Sequence, residues 1–167
     1  MTALVDTYKT LVYRLAVSIL DDPAEADEAT QDTFVAAISR LDSYRGDSSF
    51  TTWLYAIALN VCRGRLRKRR SRERLTQVLQ ALFRVSGPIE VHPEQVVMQH
   101  ESDATLWQAV QALDDRLREV IVLRYYHELR LNDIARVVGV SERTVRDRLH
   151  IAHERLRASL IDKVAAT

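Results

Sequence analysis

Apolar positions recur every three to four residues along most of the chain, the period of helices with one buried face. The first stripe is Leu4, Tyr8, Leu11, Val12, Leu15 and Ile19. Asp21-Asp22-Pro23 closes that helix and opens the next. Asp22 suits an N-cap, and Pro23 suits the first helical position, where no backbone N–H is needed. Glu25 and Glu28 then stand where the helix dipole favours anions, and Phe34, Ala37, Ile38 and Leu41 predict the buried face. Residues 44–49 carry Gly46 and two serines and read as a loop. A third helix is predicted from about Phe50, with the stripe Phe50, Trp53, Leu54, Ile57, Ala58 and Val61. It flows into Arg63–Arg74, where eight of twelve residues are basic. Leu75, Val78, Leu79, Leu82 and Phe83 predict a short amphipathic segment beyond it, which Gly87-Pro88 breaks. The stretch to about His100 holds two of the three prolines and reads as a linker. The helical period resumes with Leu106, Ala109, Val110, Leu113 and Leu117, and a helix from about Asp115 to His127 follows. Leu131, Ile134, Ala135 and Val138 predict a short helix, Gly139-Val140-Ser141 a tight turn, and Val145, Leu149, Ala152, Leu156 and Leu160 a long closing helix.

This pattern predicts an all-α fold of two small helical domains, 1–74 and 101–167, joined by a linker over 75–100. With 167 residues, 47% of them apolar, a buried core is expected. Only 4 Gly and 3 Pro argue against a turn-rich all-β chain. The single cysteine, Cys62, excludes an internal disulfide and a cysteine-based zinc site, and is predicted to be a small buried or half-buried residue. His92, His100, His127, His150 and His153 show no ligand spacing, so no metal is expected. No Gly-rich phosphate loop, His-Glu-x-x-His or Gly-x-Ser-x-Gly occurs, so neither a cofactor nor an enzymatic activity is expected. No apolar run approaches the ~18–20 residues that span a bilayer. The segment Met1–Asp6 lacks a basic start followed by an apolar stretch. A cytoplasmic protein with no membrane insertion is the expectation.

Charge changes the picture. The net of +1 conceals 4 basic and 9 acidic residues in 1–60, 9 and 3 in 61–100, and 11 of each in 101–167. An acidic front and a basic middle imply partners of opposite sign. Leu131–Leu149 has the helix–turn–helix pattern, with Gly139 for positive φ, Val140 as a core plug and Ser141 as N-cap. Burying Val145, Leu149 and Ala152 points Arg143, Arg146, Asp147 and His150 outward. Arginine reads guanine edges bidentately, Arg148 is placed to hold phosphate, and Asp147 steers the arginines or accepts from cytosine. The plain alternative is a helical hairpin with a solvated charged face. The arginine run is either a solvated helix end or a nucleic-acid contact, since eight like charges repel unless a polyanion neutralises them. Aromatics beside it suit single-stranded bases. Trp53 falls on the apolar stripe and belongs to the core, whereas Tyr44, Thr51, Thr52 and Tyr55 are expected to be exposed for contact. For Glu25, Asp27, Glu28, Gln31 and Asp32 a solvated helix face is the simpler reading when the helix is taken alone.

In order and spacing these segments resemble the bacterial sigma factors of the sigma-70 family, specifically the short extracytoplasmic-function (ECF) type. The resemblance covers about residues 4–70 and 101–160. It rests on Asp22–Phe34, on Tyr44-Arg45-Gly46-Asp47-Ser48-Ser49-Phe50-Thr51-Thr52-Trp53-Leu54-Tyr55 through Asn60, on Leu117-Arg118-Glu119-Val120-Ile121 through Tyr126, and on Asp133-Ile134-Ala135 followed by Gly139–Leu149. A proline that commonly precedes the Leu-Arg-Glu-Val segment is replaced by Asp114-Asp115. The resemblance implies a non-catalytic initiation subunit that docks on core RNA polymerase, at the largest-subunit coiled coil and at the flap. Asp27, Glu28, Gln31 and Asp32 become the docking candidates. For the melted −10 strand it implies Tyr44, Arg45, Ser48, Thr51, Thr52, Tyr55, Asn60, Arg63 and Arg67, with Asn60 at the flipped-base position. For the −35 duplex it implies Ser141, Arg143, Thr144, Arg146, Asp147, Arg148 and His150. An anti-sigma factor is implied as a regulatory partner. Two other classes fit the residues less well. A polymerase-independent helix-turn-helix regulator leaves Asp27–Phe34 and Arg45–Asn60 without a role. An adaptor that sequesters an anti-sigma protein predicts partner binding but no transcription.

Overall fold

The computed structural model describes residues 2–83 and 101–165, with side chains described for 5–78 and 104–161. The regular elements among the described residues are all helical, with no strand among them. The order is α1 (Thr2–Leu20), α2 (Pro23–Ser39), a 3-10 turn (Leu41–Ser43), α3 (Phe50–Phe83), α4 (Glu101–Gln111), α5 (Asp115–Ile121), a π turn (Val122–Tyr126), α6 (Leu131–Val138) and α7 (Glu142–Ala165).

The α1–α2 corner forms as its residues predict. Asp21 takes a left-handed φ of 54°, which a short polar side chain tolerates. Asp22 Oδ1 accepts from the Glu25 N–H at 2.9 Å, and Pro23 occupies the first turn. Helices α1, α2 and α3 then pack as a three-helix layer. Its centre is Val12, Leu15 and Ile19 from α1, Ala26, Ala29 and Phe34 from α2, and Leu54, Ala58, Leu59 and Cys62 from α3. The small residues of α2 let the helices approach closely. Burial pushes the Cys62 thiol up to about 12, so it is a packing residue, as expected. Ile38 and Leu41, predicted for the buried face of α2, are exposed instead. Ile38 lies in the last turn of α2, and Leu41 lies beyond its end, in the 3-10 turn.

Four rings hold the loop before α3. Tyr44, Phe50 and Trp53 lie within 5.3–5.6 Å of one another, centroid to centroid, and Tyr8 adds a contact to Phe50 at 5.1 Å. Tyr44 Oη donates to the Ser48 carbonyl at 2.7 Å, and Ser49 Oγ accepts from the Thr52 N–H at 3.1 Å to cap α3. α3 does not stop at the arginine run. It continues as one helix of 34 residues, about 50 Å long. Leu75 and Val78 are thus the helix's own continuation and are exposed, so this part of the apolar stripe packs on nothing described. The predicted Gly87-Pro88 break and the linker to His100 lie outside the described residues.

The second half is built on Leu117, Val120, Val122, Leu123, Ile134, Val138, Val145 and Leu149. The predicted Asp115–His127 helix is present but loosens into a π turn, where His127 N–H reaches the Val122 carbonyl at 3.1 Å. Leu129 N–H then bonds the Leu123 carbonyl, and Arg124 Nη1 bonds the Leu129 carbonyl at 2.8 Å, which turns the chain towards α6. Gly139 has φ +77° as the turn requires, Val140 packs on the core, and Ser141 Oγ accepts from the Thr144 N–H at 3.2 Å. α6, the turn and α7 therefore form a helix-turn-helix.

Candidate functional site

Helical spacing divides the arginine run between two neighbours. Arg65 and Arg69, four residues apart, turn back onto the first half. Arg65 bridges Glu28 at 2.8 Å and Asp32 at 2.6 Å, while Arg69 meets Glu25 at 3.7 Å and the Leu20 carbonyl at 3.2 Å. Arg63 and Arg70, seven apart, face the second half. Arg63 makes a bidentate pair with Glu119, Nε to Oε1 at 2.8 Å and Nη2 to Oε2 at 2.7 Å, and Arg70 meets Asp115 at 2.8 Å. The run is thus partly neutralised inside the chain, not left wholly for an external polyanion.

The acidic candidates on α2 are all exposed: Asp27, Glu28, Gln31 and Asp32 line one solvent face. Arg65 links Glu28 and Asp32, which holds their carboxylates in place beside the exposed Val35 and Ile38.

The α3 face has a different fate. Asn60 and Arg67 are exposed, Arg45 is exposed in the loop, and Ser48 and Thr51 are half-buried. Tyr44 is half-buried in the ring cluster. Thr52 and Tyr55 correct the expectation of exposure, because each is only 2% accessible. The second half covers them. Thr52 Oγ1 donates to Asp133 Oδ1 at 3.3 Å, and Tyr55 Oη lies 3.1 Å from His127 Nδ1. Arg136 Nη1 donates to the Asp47 carbonyl in the loop before α3. Burial raises the Tyr55 hydroxyl to about 12 and lowers His127 to about 4, so both are neutral near pH 7. Arg63 is likewise occupied, by a Glu119 carboxylate that is 3% accessible. Side chains predicted for nucleic acid are therefore held by the chain's own second half. Trp107 Nε1 donating to Asp21 at 3.3 Å and Gln111 Nε2 donating to the Ser18 carbonyl at 3.1 Å extend the same seam.

On α7, Ser141, Arg143, Arg146, Asp147 and His150 are exposed, and Thr144 is half-buried beside its cap. Arg146 pairs with Glu142 at 3.3 Å, a surface contact of small energy that leaves the guanidinium available. Arg148 departs from this group. It is half-buried and lines the clefts between α3, α5 and α7.

Sequence reasoning did not single out Glu119, Asp115, Asp133, His127 or Arg136 as seam residues. A signal existed for two of them. Arg118-Glu119 interrupts an apolar run, and Asp115 belongs to the departure from the family pattern. Among the described residues no group of His, Cys, Asp and Glu is arranged to hold a metal. No helix there is long and apolar enough to cross a membrane.

Fold and site define an all-helical protein with a basic helix in one half and a helix-turn-helix in the other. The family model for sigma-70 region 2 matches residues 4–72, and that for sigma-70 region 4 matches residues 109–158. The chain is 34% identical over 169 residues to the ECF RNA polymerase sigma factor SigW of Bacillus subtilis, covering 95% of this chain and 88% of that one. It is 31% identical over 135 residues to the ECF RNA polymerase sigma-E factor of Escherichia coli, covering 78% and 71%. Among solved structures, CnrH in complex with the cytosolic domain of CnrY superposes with a TM-score of 0.65 at 29% identity, over 97% of this chain and 87% of that chain. The sigma factor RpoE of Bartonella quintana, in complex with the anti-sigma factor NepR, shares the fold with a TM-score of 0.69 at 23% identity, over 95% of each chain. The chain belongs to the ECF sigma factors of the sigma-70 family, and it directs promoter-specific initiation of transcription.

Proposed function

We propose that this chain acts in the cytoplasm as a non-catalytic two-headed adaptor, divided into a region 2 unit over 1–74, a linker over 75–100 and a region 4 unit over 101–167. The exposed face of α2, with Asp27, Glu28, Gln31 and Asp32, docks on the coiled coil of the largest polymerase subunit, and the second unit meets the flap. The outward face of α7 enters the major groove at −35. There Arg143 and Arg146 read base edges, Asp147 steers them or accepts from cytosine, and Ser141, Thr144, Arg148 and His150 fix the helix on the duplex. The loop and first turns of α3 hold the unpaired strand at −10. Tyr44, Arg45, Ser48, Thr51, Thr52 and Tyr55 line it, Arg63 and Arg67 track its backbone, and Asn60 captures a flipped base, whose unstacking costs a few kcal/mol.

The burial of Thr52 and Tyr55 beneath the second half, with Arg63 held there by Glu119, carries the further step. The free chain is closed, and the two units part before the −10 strand is held. Core polymerase and promoter supply the competing contacts. An anti-sigma factor is the natural regulator of such an equilibrium, since a protein that binds the closed form holds it there. CnrH, 29% identical and solved in complex with the cytosolic domain of CnrY, supports a protein partner for this chain by analogy.

Transcription from a pooled random-promoter library, with purified core polymerase and with or without the chain, tests the function. Discrete new start sites that require the chain are expected, and they supply the −10 and −35 sequences together. No new transcripts and no co-elution with core polymerase would overturn the reading in favour of a polymerase-independent regulator.

A further inference from the structure

A cleft of about 770 Å³ opens where α3, α5 and α7 converge. Its walls carry Arg70 and Arg74 from α3, Arg116 and Arg118 from α5, and Arg148 and Arg155 from α7. The carboxylates on those walls are Asp114 and Asp115. They do not balance the arginines. A single oxygen, Asp115 Oδ1, serves both Arg70 and Arg118, each at 2.8 Å, and Asp114 is taken by Arg155. Arg74, Arg116 and Arg148 have no hydrogen-bond or ion-pair partner among the described residues. Arg118 is only 8% accessible, and its Nε is buried with no acceptor. Its Nη atoms are held by Asp115 and by the carbonyl and amide oxygens of Gln111, while burial, followed by the neighbouring Arg69 and Arg70 charges, lowers its proton affinity. A second cleft of about 460 Å³ shares Asp115, Arg116 and Arg148 and adds Arg63 and Arg67.

We infer that this interdomain cleft is a binding site for a small polyanion, a chain of two or three linked phosphates. Guanidinium forks match phosphate oxygens in pairs, and several on converging walls suit a compact, multiply charged ligand. The volume is that of a small-molecule site. An acidic peptide helix fits less well, because Ile151 is the one apolar lining residue with substantial exposure, and a peptide needs a longer apolar stripe. Because its walls come from both halves, the site is complete only when the chain is closed, so it rests on the closed arrangement proposed above. The occupant relieves repulsion across the seam and opposes promoter binding. Nucleoside polyphosphates and free polyphosphate share this chemistry.

Titration calorimetry on the full chain, at fixed ionic strength with tripolyphosphate as probe, tests the site. One equivalent is expected to bind. The double variant Arg116→Gln, Arg155→Gln is expected to weaken it at least tenfold. Lys68→Gln with Arg157→Gln, which removes the same charge outside the cleft, should leave it unchanged. ATP binding more tightly than tripolyphosphate identifies a nucleotide as occupant, and equal affinity identifies a site that reads the phosphate chain alone. Several weak equivalents, equal losses in both double variants, or tighter binding of an oligoglutamate of matched charge would overturn the proposal. Small-angle scattering on the same samples separates the two claims. A compact free chain that binds no tripolyphosphate overturns the site alone. An extended free chain that closes around one equivalent overturns only the closed resting state, and an extended chain that ignores it overturns both.

Discussion

Arg146 lies on the outward face of α7, where its one partner among the described residues is Glu142, four residues back. That pair is exposed, so breaking it to reach a base edge costs little. Arg146→Ala is expected to lose ~1–3 kcal/mol on the cognate −35 duplex and to relax preference at one position. Competition binding against single-base variants of the site measures this. Equal loss on every sequence would make Arg146 a phosphate contact. Residues of this kind were legible from sequence because one buried stripe, Val145, Leu149 and Ala152, fixes what points outward. Thr52 and Tyr55 were not. Their burial depends on Asp133 and His127, which lie 81 and 72 positions away in the chain. No local period encodes that contact.

At the scale of elements, α2 and α5 hold the charged contacts that set docking and closure. On α2, Asp32 belongs to a charge cluster fixed by Arg65. Asp32→Arg places two cations together and removes one of the docking anions. Core-polymerase affinity is expected to fall about tenfold or more, with the helical circular dichroism unchanged. Unchanged affinity in a pull-down titration would remove α2 from the docking surface. On α5, the buried Glu119 carboxylate holds the half-buried Arg63 by two charge-assisted bonds. Such a pair contributes little net stability against an apolar replacement, yet losing one partner is costly. Opening lets Arg63 regain water, so Glu119→Gln shifts the chain towards the open form. The free variant is expected to bind a single-stranded −10 oligonucleotide about tenfold more tightly. Equal binding with an unchanged thermal midpoint would show the pair to be idle. Element boundaries were read well from sequence where a cap or turn residue marks them, as at Asp22 and Gly139. They were read less well where composition changes without a helix breaker. The run from Arg63 into Leu75 changes charge and hydropathy but contains no proline, and the helix goes on through it.

For the whole molecule, the seam turns a two-unit chain into a closed one, and its stability depends on pH. His127 sits below its ordinary value of 6.5, at about 4, chiefly because of burial and secondarily because of the Arg14 charge. The closed form therefore holds the neutral ring, while an opened chain takes up a proton near the ordinary value. The contribution of His127 to closure is complete above about pH 6.5 and is lost as pH falls towards 4, by about 1.4 kcal/mol per unit within that window. Small-angle scattering from pH 7.5 to 5 is expected to show expansion on acidification, and His127→Phe should flatten the dependence. The sequence announced two domains and their charges but not this closure, which arises from pairings between residues of unremarkable local pattern.

The most direct test is the distance between the halves. Cys62 is fully buried, so dyes attach selectively at Lys9→Cys on α1 and Ala158→Cys on α7, both exposed positions away from the seam residues named above. Single-molecule energy transfer is predicted to be high in the free chain and to drop when core polymerase and promoter are added together. Low transfer in the free chain, or high transfer retained in an initiation complex that transcribes, would contradict the account.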